Sequence, residues 1–308
     1  MKFKEIIEKA DIFERSINNK IEKEIIKERK LELLKQYEGE DKIISWNDLE
    51  EKVKTQGDPE RFASGIETFD TELRGGIERG RLAVLSASSK MGKTSFCIDL
   101  MRKFEQYKPC MITLEQPAEE LIREQLFYRN EIPEAYSPKT FNKVNTEWIE
   151  DRLLESYLKN GTKIAIIDHL DFIETENKSD RRFQIQDIMQ DLILMARRLN
   201  ITIILISHIN KLPPEEAPNY YNLAESSSIY KLADIILFLW RECIKVGGKI
   251  EYTGLVNLRI DLSRQGGTGT DIGMIFNKGV YKEADSMQRL EASDRRDSLL
   301  SKNKKKEF

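Results

Sequence analysis

The segment from residue 87 to residue 95 has the composition of a loop that binds nucleotide phosphates. It reads Ala87-Ser88-Ser89-Lys90-Met91-Gly92-Lys93-Thr94-Ser95. Its second half matches the P-loop pattern, in which backbone N–H groups at a helix N-terminus point at phosphate oxygens. In that pattern Lys93 reaches the β- and γ-phosphates and the Thr94 hydroxyl binds Mg²⁺. We therefore predict a site for ATP and Mg²⁺, with Ala87 at a position where the pattern normally has Gly.

Two carboxylates follow other strand-like runs and would complete such a site. Asp168 ends the apolar run 164–167, and Glu115 ends the run 111–114. Open α/β sheets bind ligands at the carboxyl ends of their strands. We expect Asp168 to hold Mg²⁺ and Glu115 to accept a proton from the attacking water. The alternatives are a turn or helix-capping role for Asp168 and a capping or surface role for Glu115.

Two more polar side chains lie at predicted strand ends. His208 follows the run 201–206 and could sense the γ-phosphate by hydrogen bonding, with Asn210 as the nearby substitute, or it could be a packed core histidine. We expect His169 to be structural. Arg264 follows the run 255–260 and precedes a Gly-rich turn. It is either an arginine finger that reaches the nucleotide of a neighbouring subunit or a solvated turn residue.

The elements that must position these side chains alternate along the chain. Near-continuous apolar runs separated by amphipathic segments predict an α/β domain over residues 58–285, with a mostly parallel sheet covered on both faces. Short runs with glycines over 268–283 predict hairpins that close one edge. Residues 1–57 form a predicted helical arm whose apolar stripe over 1–37 packs within the chain or against another subunit. We expect the polar tail, 286–308, to be disordered.

Composition excludes several classes of protein. The chain has 308 residues, with 50 Lys and Arg against 53 Asp and Glu, so it is not a basic nucleic-acid coat. Three dispersed cysteines and two histidines argue against a disulfide framework and against a structural zinc site made of these residue types. The apolar runs are too short for a membrane span, which needs roughly 20 residues. We expect a reduced, cytoplasmic protein without a membrane partner.

Six segments in this order resemble the C-terminal motor domain of DnaB-type replicative helicases, which are RecA-like ATPases. The resemblance covers about residues 64–285. The segments are SGIETFDTELRGGIERGRLAVLSASSKMGKTS, MITLEQPAEEL, IAIIDHLDFIET, ILISHIN, AESSSIYKLADIILFLWRE and LSRQGGTGTDIGMIFNKGVYKE. The family commonly has Ala at the position of Ala87. The resemblance implies that Glu115 is the catalytic base, Asp168 the Walker B carboxylate and Arg264 the finger, and that His208 contacts both the nucleotide and the DNA-facing loops.

The resemblance also implies partners and a mode of action. It implies a homo-oligomeric ring, a hexamer, that moves 5′ to 3′ on single-stranded DNA and works with a primase, a loader or a single-strand-binding protein. The implied DNA segment includes Glu225, Ser226 and Ser227. It has Ala224 where the family usually has Arg, and Leu262 stands where the family usually has Lys.

Arg181 and Arg182 could supply the missing charge to DNA, or they could be an exposed helix start. A reduced phage- or plasmid-type helicase fits this pattern. The alternatives are a recombination or mediator ATPase that assembles on DNA without unwinding it, and a nucleotide-gated loader or accessory module.

Overall fold

A computed structural model describes residues 20–39, 42–141, 143–175, 180–223 and 226–304. The chain divides into two compact units, Met1–Pro59 and Glu60–Phe308, two residues beyond the predicted boundary. In the first unit, the described residues form helices α1 (Lys20–Lys35) and α2 (Trp46–Gln56). The N-terminal half of the predicted amphipathic helix, residues 1–19, lies outside the described residues.

Helix α2 has clear signals at both ends. The Ser45 side chain accepts a hydrogen bond from the Asp48 amide, and the Asp48 side chain accepts one from the Ser45 amide. This reciprocal pair is a capping box, which satisfies amides that the first turn of a helix leaves unpaired. The helix stops at Gly57, whose φ of 72° is left-handed and therefore suits glycine.

The second unit is built on an eight-stranded sheet. Two short strands, β1 (Arg61–Phe62) and β2 (Ile77–Glu78), pair with each other outside it. The strands of the sheet are β3 (Leu82–Ala87), β4 (Cys110–Thr113), β5 (Ile164–Asp168), β6 (Thr202–His208), β7 (Ile235–Val246), β8 (Lys249–Ser263), β9 (Thr270–Asn277) and β10 (Val280–Glu283). They lie in the order β10-β9-β8-β7-β3-β6-β5-β4. The five strands from β7 to β4 are parallel, and β8, β9 and β10 extend the sheet antiparallel.

Helices cover both faces of the sheet, as predicted. They are α3 (Glu67–Glu72), α4 (Lys93–Lys103), α5 (Ala118–Arg129), α6 (Thr146–Asn160), α7 (Arg181–Leu199), α8 (Ser226–Leu232) and α9 (Ser286–Lys304). The β3 residues Ala83 and Leu85 pack in one core with Phe96 of α4, whereas Leu82 and Val84 pack in the other core with α6 and α7. This strand is buried on both faces because side chains alternate along it. The predicted α/β class with a mostly parallel sheet is confirmed.

The register of the parallel strands brings distant residues to one edge. Ala87 at the end of β3 lies opposite His208 at the end of β6, and Thr113 at the end of β4 lies opposite Asp168 at the end of β5. Strand β3 runs between β6 and β7, and the chain leaves it for the far edge of the sheet before returning. Residues that follow β3, β4, β5 and β6 therefore share one site.

The C-terminal tail differs from the prediction of disorder. Residues Ser286–Lys304 form α9, in which Ala292 and Leu299 are buried. Arg296 Nη1 lies 3.2 Å from Glu242 Oε1 of β7. The apolar residues of this segment are few and widely spaced, so their periodicity is weak in the sequence. Of them, Ala292 and Leu299 lie on the side that packs against the sheet. A helix with so few apolar residues is stable only through that packing.

We expect Leu299→Ala to lower the free energy of unfolding by about 2 kcal/mol, the low end for a buried Leu, because the change leaves a cavity under α9. Leu300→Ala is the matched control, since Leu300 is 41% exposed and Leu299 only 8%. Urea unfolding of both variants measures the difference. Equal stability of the two variants would contradict the packing of α9.

Candidate nucleotide site

The loop between β3 and α4 has a conformation that requires glycine at one position. Gly92 has φ 99°, in the left-handed region, and a Cβ placed on it would lie 2.7 Å from the Tyr281 hydroxyl oxygen. That hydroxyl donates a hydrogen bond to the Gly92 carbonyl at 3.3 Å. Both the backbone angle and the close approach therefore exclude larger residues here. The predicted phosphate contacts from Ala87 to Ser95 lie in this loop and in the first turn of α4.

Lys93 is buried inside the loop at the start of α4. Its Nζ donates hydrogen bonds to the carbonyls of Ala87 at 3.0 Å and Ser88 at 3.2 Å, and lies 3.2 Å from His208 Nδ1. Burial lowers the pKa of Lys93, and the nearby charges of Asp168 and Glu115 oppose that shift. The loop thus holds a poorly solvated ammonium group, which an anionic ligand would stabilise.

Asp168 and Thr94 form the part of the site suited to a cation. The Thr94 hydroxyl donates to Asp168 Oδ2 at 2.8 Å. Asp168 is 2% exposed, and its Oδ1 has no hydrogen-bond partner among the described residues. Burial raises the pKa of Asp168, while the hydrogen bond from Thr94 lowers it. A buried, unpartnered carboxylate oxygen beside a hydroxyl fits Mg²⁺, which prefers oxygen ligands.

Glu115, His169 and His208 meet beside this pair. His169 Nε2 lies 3.1 Å from His208 Nε2 and 3.7 Å from Glu115 Oε2. Glu115 is exposed to solvent, which suits a group that exchanges protons with water. Burial and then the charge of Lys93 lower the pKa of His208, so this ring is neutral at pH 7.

His169 lies between two of the candidate residues. We expected it to be structural, yet it bridges Glu115 and His208, the two candidates on the neighbouring strand ends. The sequence feature that indicates this location is its position immediately after Asp168, at the carboxyl edge of the sheet where ligands bind. Its other ring nitrogen, Nδ1, accepts a hydrogen bond from the Asp171 amide at 3.2 Å, which fixes the orientation of the ring.

The structure does not bring Arg264 to this site within the chain. Arg264 follows β8 beside the start of β7, and that edge of the sheet is opposite the edge that carries the loop. Its guanidinium donates to the carbonyls of Ala233 at 3.2 Å and Lys231 at 2.5 Å, at the end of α8. Its side chain remains exposed.

The predicted DNA-binding residues lie at the starts of two helices. Arg181 begins α7 and donates to the carbonyls of Leu170 and Asp171, whereas Arg182 is exposed. Ser226 and Ser227 begin α8. Glu225 and Ala224 lie outside the described residues.

One known family of domains is similar to the C-terminal half of the chain. A family profile described as "DnaB-like helicase C terminal domain" matches residues 140–284, which include strand β5 and the turn that carries Arg264. Residues 140–284 are thus similar to that family of domains. The predicted resemblance to this family is therefore confirmed, although its reduced phage- or plasmid-type origin stays a prediction.

Curated relatives extend the match in the N-terminal direction. The chain is 24% identical over 258 residues to the replicative DNA helicase DnaB of Buchnera aphidicola subsp. Acyrthosiphon pisum, covering 71% of this chain and 56% of that protein. It is 23% identical over 275 residues to the replicative DNA helicase DnaC of Bacillus subtilis, covering 78% of this chain and 60% of the relative. The chain thus spans less than two thirds of these relatives.

Solved structures share the fold. One of them, described as an ATPase domain, superimposes with a TM-score of 0.65 at 20% identity, covering 78% of this chain and 97% of that domain. A DnaB-like replicative helicase, described with its interactions with primase, gives the same TM-score and identity over 92% of this chain and 75% of the other. These likenesses confirm the predicted fold, an α/β domain with a mostly parallel sheet. Across the described ranges, no helix combines the length and the apolar composition needed to cross a membrane.

We expect Asp168→Asn to raise the free energy of unfolding at neutral pH by about 1 kcal/mol. Because burial raises the pKa of Asp168 in the folded protein, wild-type stability falls as pH rises through that pKa. The neutral amide avoids this cost, so the advantage should shrink as the pH is lowered and the wild-type carboxyl takes up its proton. Thermal unfolding at neutral and acid pH measures both effects. A wild type that is more stable than the variant at neutral pH would contradict this account.

Proposed function

We propose that this chain is the motor of an ATP-dependent replicative DNA helicase that assembles as a ring. The observation that carries the proposal is the convergence at one sheet edge of a buried ammonium, a buried carboxylate that accepts from a half-buried hydroxyl, and an exposed carboxylate. They are Lys93, Thr94 with Asp168, and Glu115. These groups supply the charge, the cation ligands and the base that phosphoryl transfer to water requires. The family match supports the assignment to helicases.

Each group has a separate role in ATP hydrolysis. Lys93, released from the loop carbonyls, binds the β- and γ-phosphates. Thr94 and Asp168 would hold Mg²⁺, which when bound neutralises phosphate charge. Glu115 accepts the proton of the attacking water, and His208 hydrogen-bonds the γ-phosphate from the neighbouring strand end. Burial of Lys93 and Asp168 strengthens these electrostatic contacts, because the local dielectric is lower than that of water.

Arg264 belongs to a neighbouring subunit's site in this proposal. It lies at the sheet edge opposite its own loop, so Arg264 can complete a site only on a second copy of the chain. Head-to-tail contacts of this kind generate rings when the rotation closes. A homohexamer is the ring that the family resemblance implies.

In this proposal the ring moves along single-stranded DNA in the 5′ to 3′ direction. Arg182 is exposed at the start of α7, next to the half-exposed Arg181 and the exposed aromatic rings of Phe172 and Phe183. Basic side chains bind phosphates, and aromatic rings can stack on bases. Ser226, Ser227 and Glu225 complete the proposed DNA segment. A primase, a loader and a single-strand-binding protein are the proposed protein partners.

The test is ATP turnover by the purified chain with and without single-stranded DNA, together with unwinding of a forked duplex. We expect stimulation by DNA that weakens as salt increases, and ATP-dependent unwinding. Stimulated turnover on filaments without unwinding would favour a recombination or mediator ATPase. Nucleotide binding without turnover would favour a loader or accessory module. Either result would overturn the helicase proposal.

We expect Lys93→Ala to abolish ATP turnover, because the phosphates lose the buried ammonium. The matched control is Lys159→Ala, which removes an exposed lysine paired with Glu155 at the end of α6. Steady-state ATP hydrolysis and circular dichroism distinguish lost chemistry from lost folding. Normal turnover by the folded Lys93→Ala variant would disprove the P-loop assignment.

We expect Arg264→Ala to bind nucleotide but to lose hydrolysis by a factor on the order of 10³. Mixing this variant with Lys93→Ala should restore activity, because some interfaces then combine an intact loop with an intact arginine. The measurement compares ATP turnover by the mixture with ATP turnover by each variant alone. An inactive mixture would contradict the finger role and would favour a structural role for Arg264, through its contacts with α8.

A further inference from the structure

Three tyrosine rings stack on one another beside α8. The ring centroids of Tyr220 and Tyr221 are 3.8 Å apart with 36° between the ring planes, and the Tyr220 centroid lies 5.0 Å from that of Tyr230 in α8. Tyr220 and Tyr230 are half-buried, whereas Tyr221 is 74% exposed. The tyrosine stack, Tyr230-Tyr220-Tyr221, therefore ends in an aromatic ring that faces solvent and is supported from behind by two others.

Backbone hydrogen bonds fix the position of the tyrosine stack. The Asn219 side chain accepts a hydrogen bond from the Tyr221 amide at 3.0 Å, and the Asn222 side chain accepts one from the Asn219 amide at 2.8 Å. The Asn210 amide donates to the Asn222 carbonyl at 2.7 Å, which ties this turn to the end of β6, the strand that carries His208. A ring held in this way loses little conformational entropy when a ligand contacts it.

The charges of the loop that carries Tyr221 do not favour phosphate. Lys211 is exposed, and Glu215 and Glu216 are exposed as well. One lysine against two glutamates leaves residues 209–223 with a formal charge of −1. The loop therefore offers a nucleic-acid strand the face of an aromatic ring, and each of the four bases has a face that can stack on it.

We propose that the exposed face of Tyr221 stacks on a base of single-stranded DNA. The base would become the fourth member of the tyrosine stack, with Tyr220 and Tyr230 behind Tyr221. This contact rests on the proposed function, in which the strand passes the start of α8. It differs from the phosphate contacts assigned to Arg181 and Arg182, because it depends on the presence of a base and tolerates any base.

The test compares two labelled oligonucleotides of equal length by fluorescence anisotropy with the full chain. One is single-stranded DNA with all its bases, and the other is an abasic sugar-phosphate strand. We expect Tyr221→Ala to weaken binding of the first roughly 5- to 150-fold, the range for one base stacked on an aromatic ring, and to leave binding of the abasic strand unchanged. Tyr221→Phe should bind as the wild type does, because it keeps the ring.

The matched control is Tyr157→Ala, which removes an exposed tyrosine of α6 outside the tyrosine stack. It should bind both strands as the wild type does. Circular dichroism checks that every variant is folded. Wild-type affinity of Tyr221→Ala for the strand with bases would overturn the proposal, and so would an equal loss of affinity for both strands.

The salt dependence of binding separates a stacked base from a lost phosphate contact. Removal of a phosphate contact makes the fall of affinity with salt less steep, whereas removal of a stacked base lowers affinity by the same factor at every salt concentration. We expect Tyr221→Ala to keep the wild-type salt slope. A shallower slope in this variant would contradict stacking.

ATP turnover and unwinding of a forked duplex distinguish this proposal from the proposed function. Unwinding by the wild type, with unchanged DNA affinity in Tyr221→Ala, would overturn the stacking contact and leave the helicase proposal standing. A Tyr221-dependent preference for the strand with bases, without unwinding by the wild type, would do the reverse. A folded wild type that binds neither strand would overturn both.

Discussion

The site depends on two opposite charges that are kept out of water at one edge of a parallel sheet. Lys93 and Asp168 are both buried, but they do not pair with each other at hydrogen-bond distance. Lys93 donates to backbone carbonyls, and Asp168 accepts a hydrogen bond from the Thr94 hydroxyl. Burial therefore lowers the pKa of the amine and raises that of the acid. Such groups are costly to fold and are stabilised by a ligand that brings phosphate and a cation together.

The parallel register is what makes that arrangement possible. The four loops that carry the site leave β3, β4, β5 and β6 at the same edge, and each of these strands is an apolar run that its sequence reveals. The loop pattern and the two carboxylates at strand ends could be recognised because backbone geometry and sheet direction dictate their positions. The fold class followed from the same runs, since strands buried on both faces need helices on both sides.

Other features depend on contacts between segments distant in sequence. The place of His169 is set by packing of its ring against His208, which comes from a strand 39 residues further on. Helix α9 is stable through Ala292 and Leu299, two apolar side chains in a polar segment, and no periodic pattern marks them. The residue types at single positions do not encode such contacts. These contacts form only after the sheet has assembled, because its assembly determines which side chains meet.

Arg264 shows how the fold connects its two edges. Its amide donates to the Asp234 carbonyl, and its guanidinium donates to carbonyls at the end of α8, so the turn after β8 and this helix are tied together. Helix α8 begins in the proposed DNA segment. An arginine that leaves these carbonyls for a neighbour's phosphates frees the C-terminal end of α8, whereas a shift of α8 changes where the arginine is held. Helix α8 also contacts α7, whose first turn carries Arg181. In the proposed ring, α8 would therefore link the nucleotide of one subunit to the helix starts that we propose to face DNA in the next.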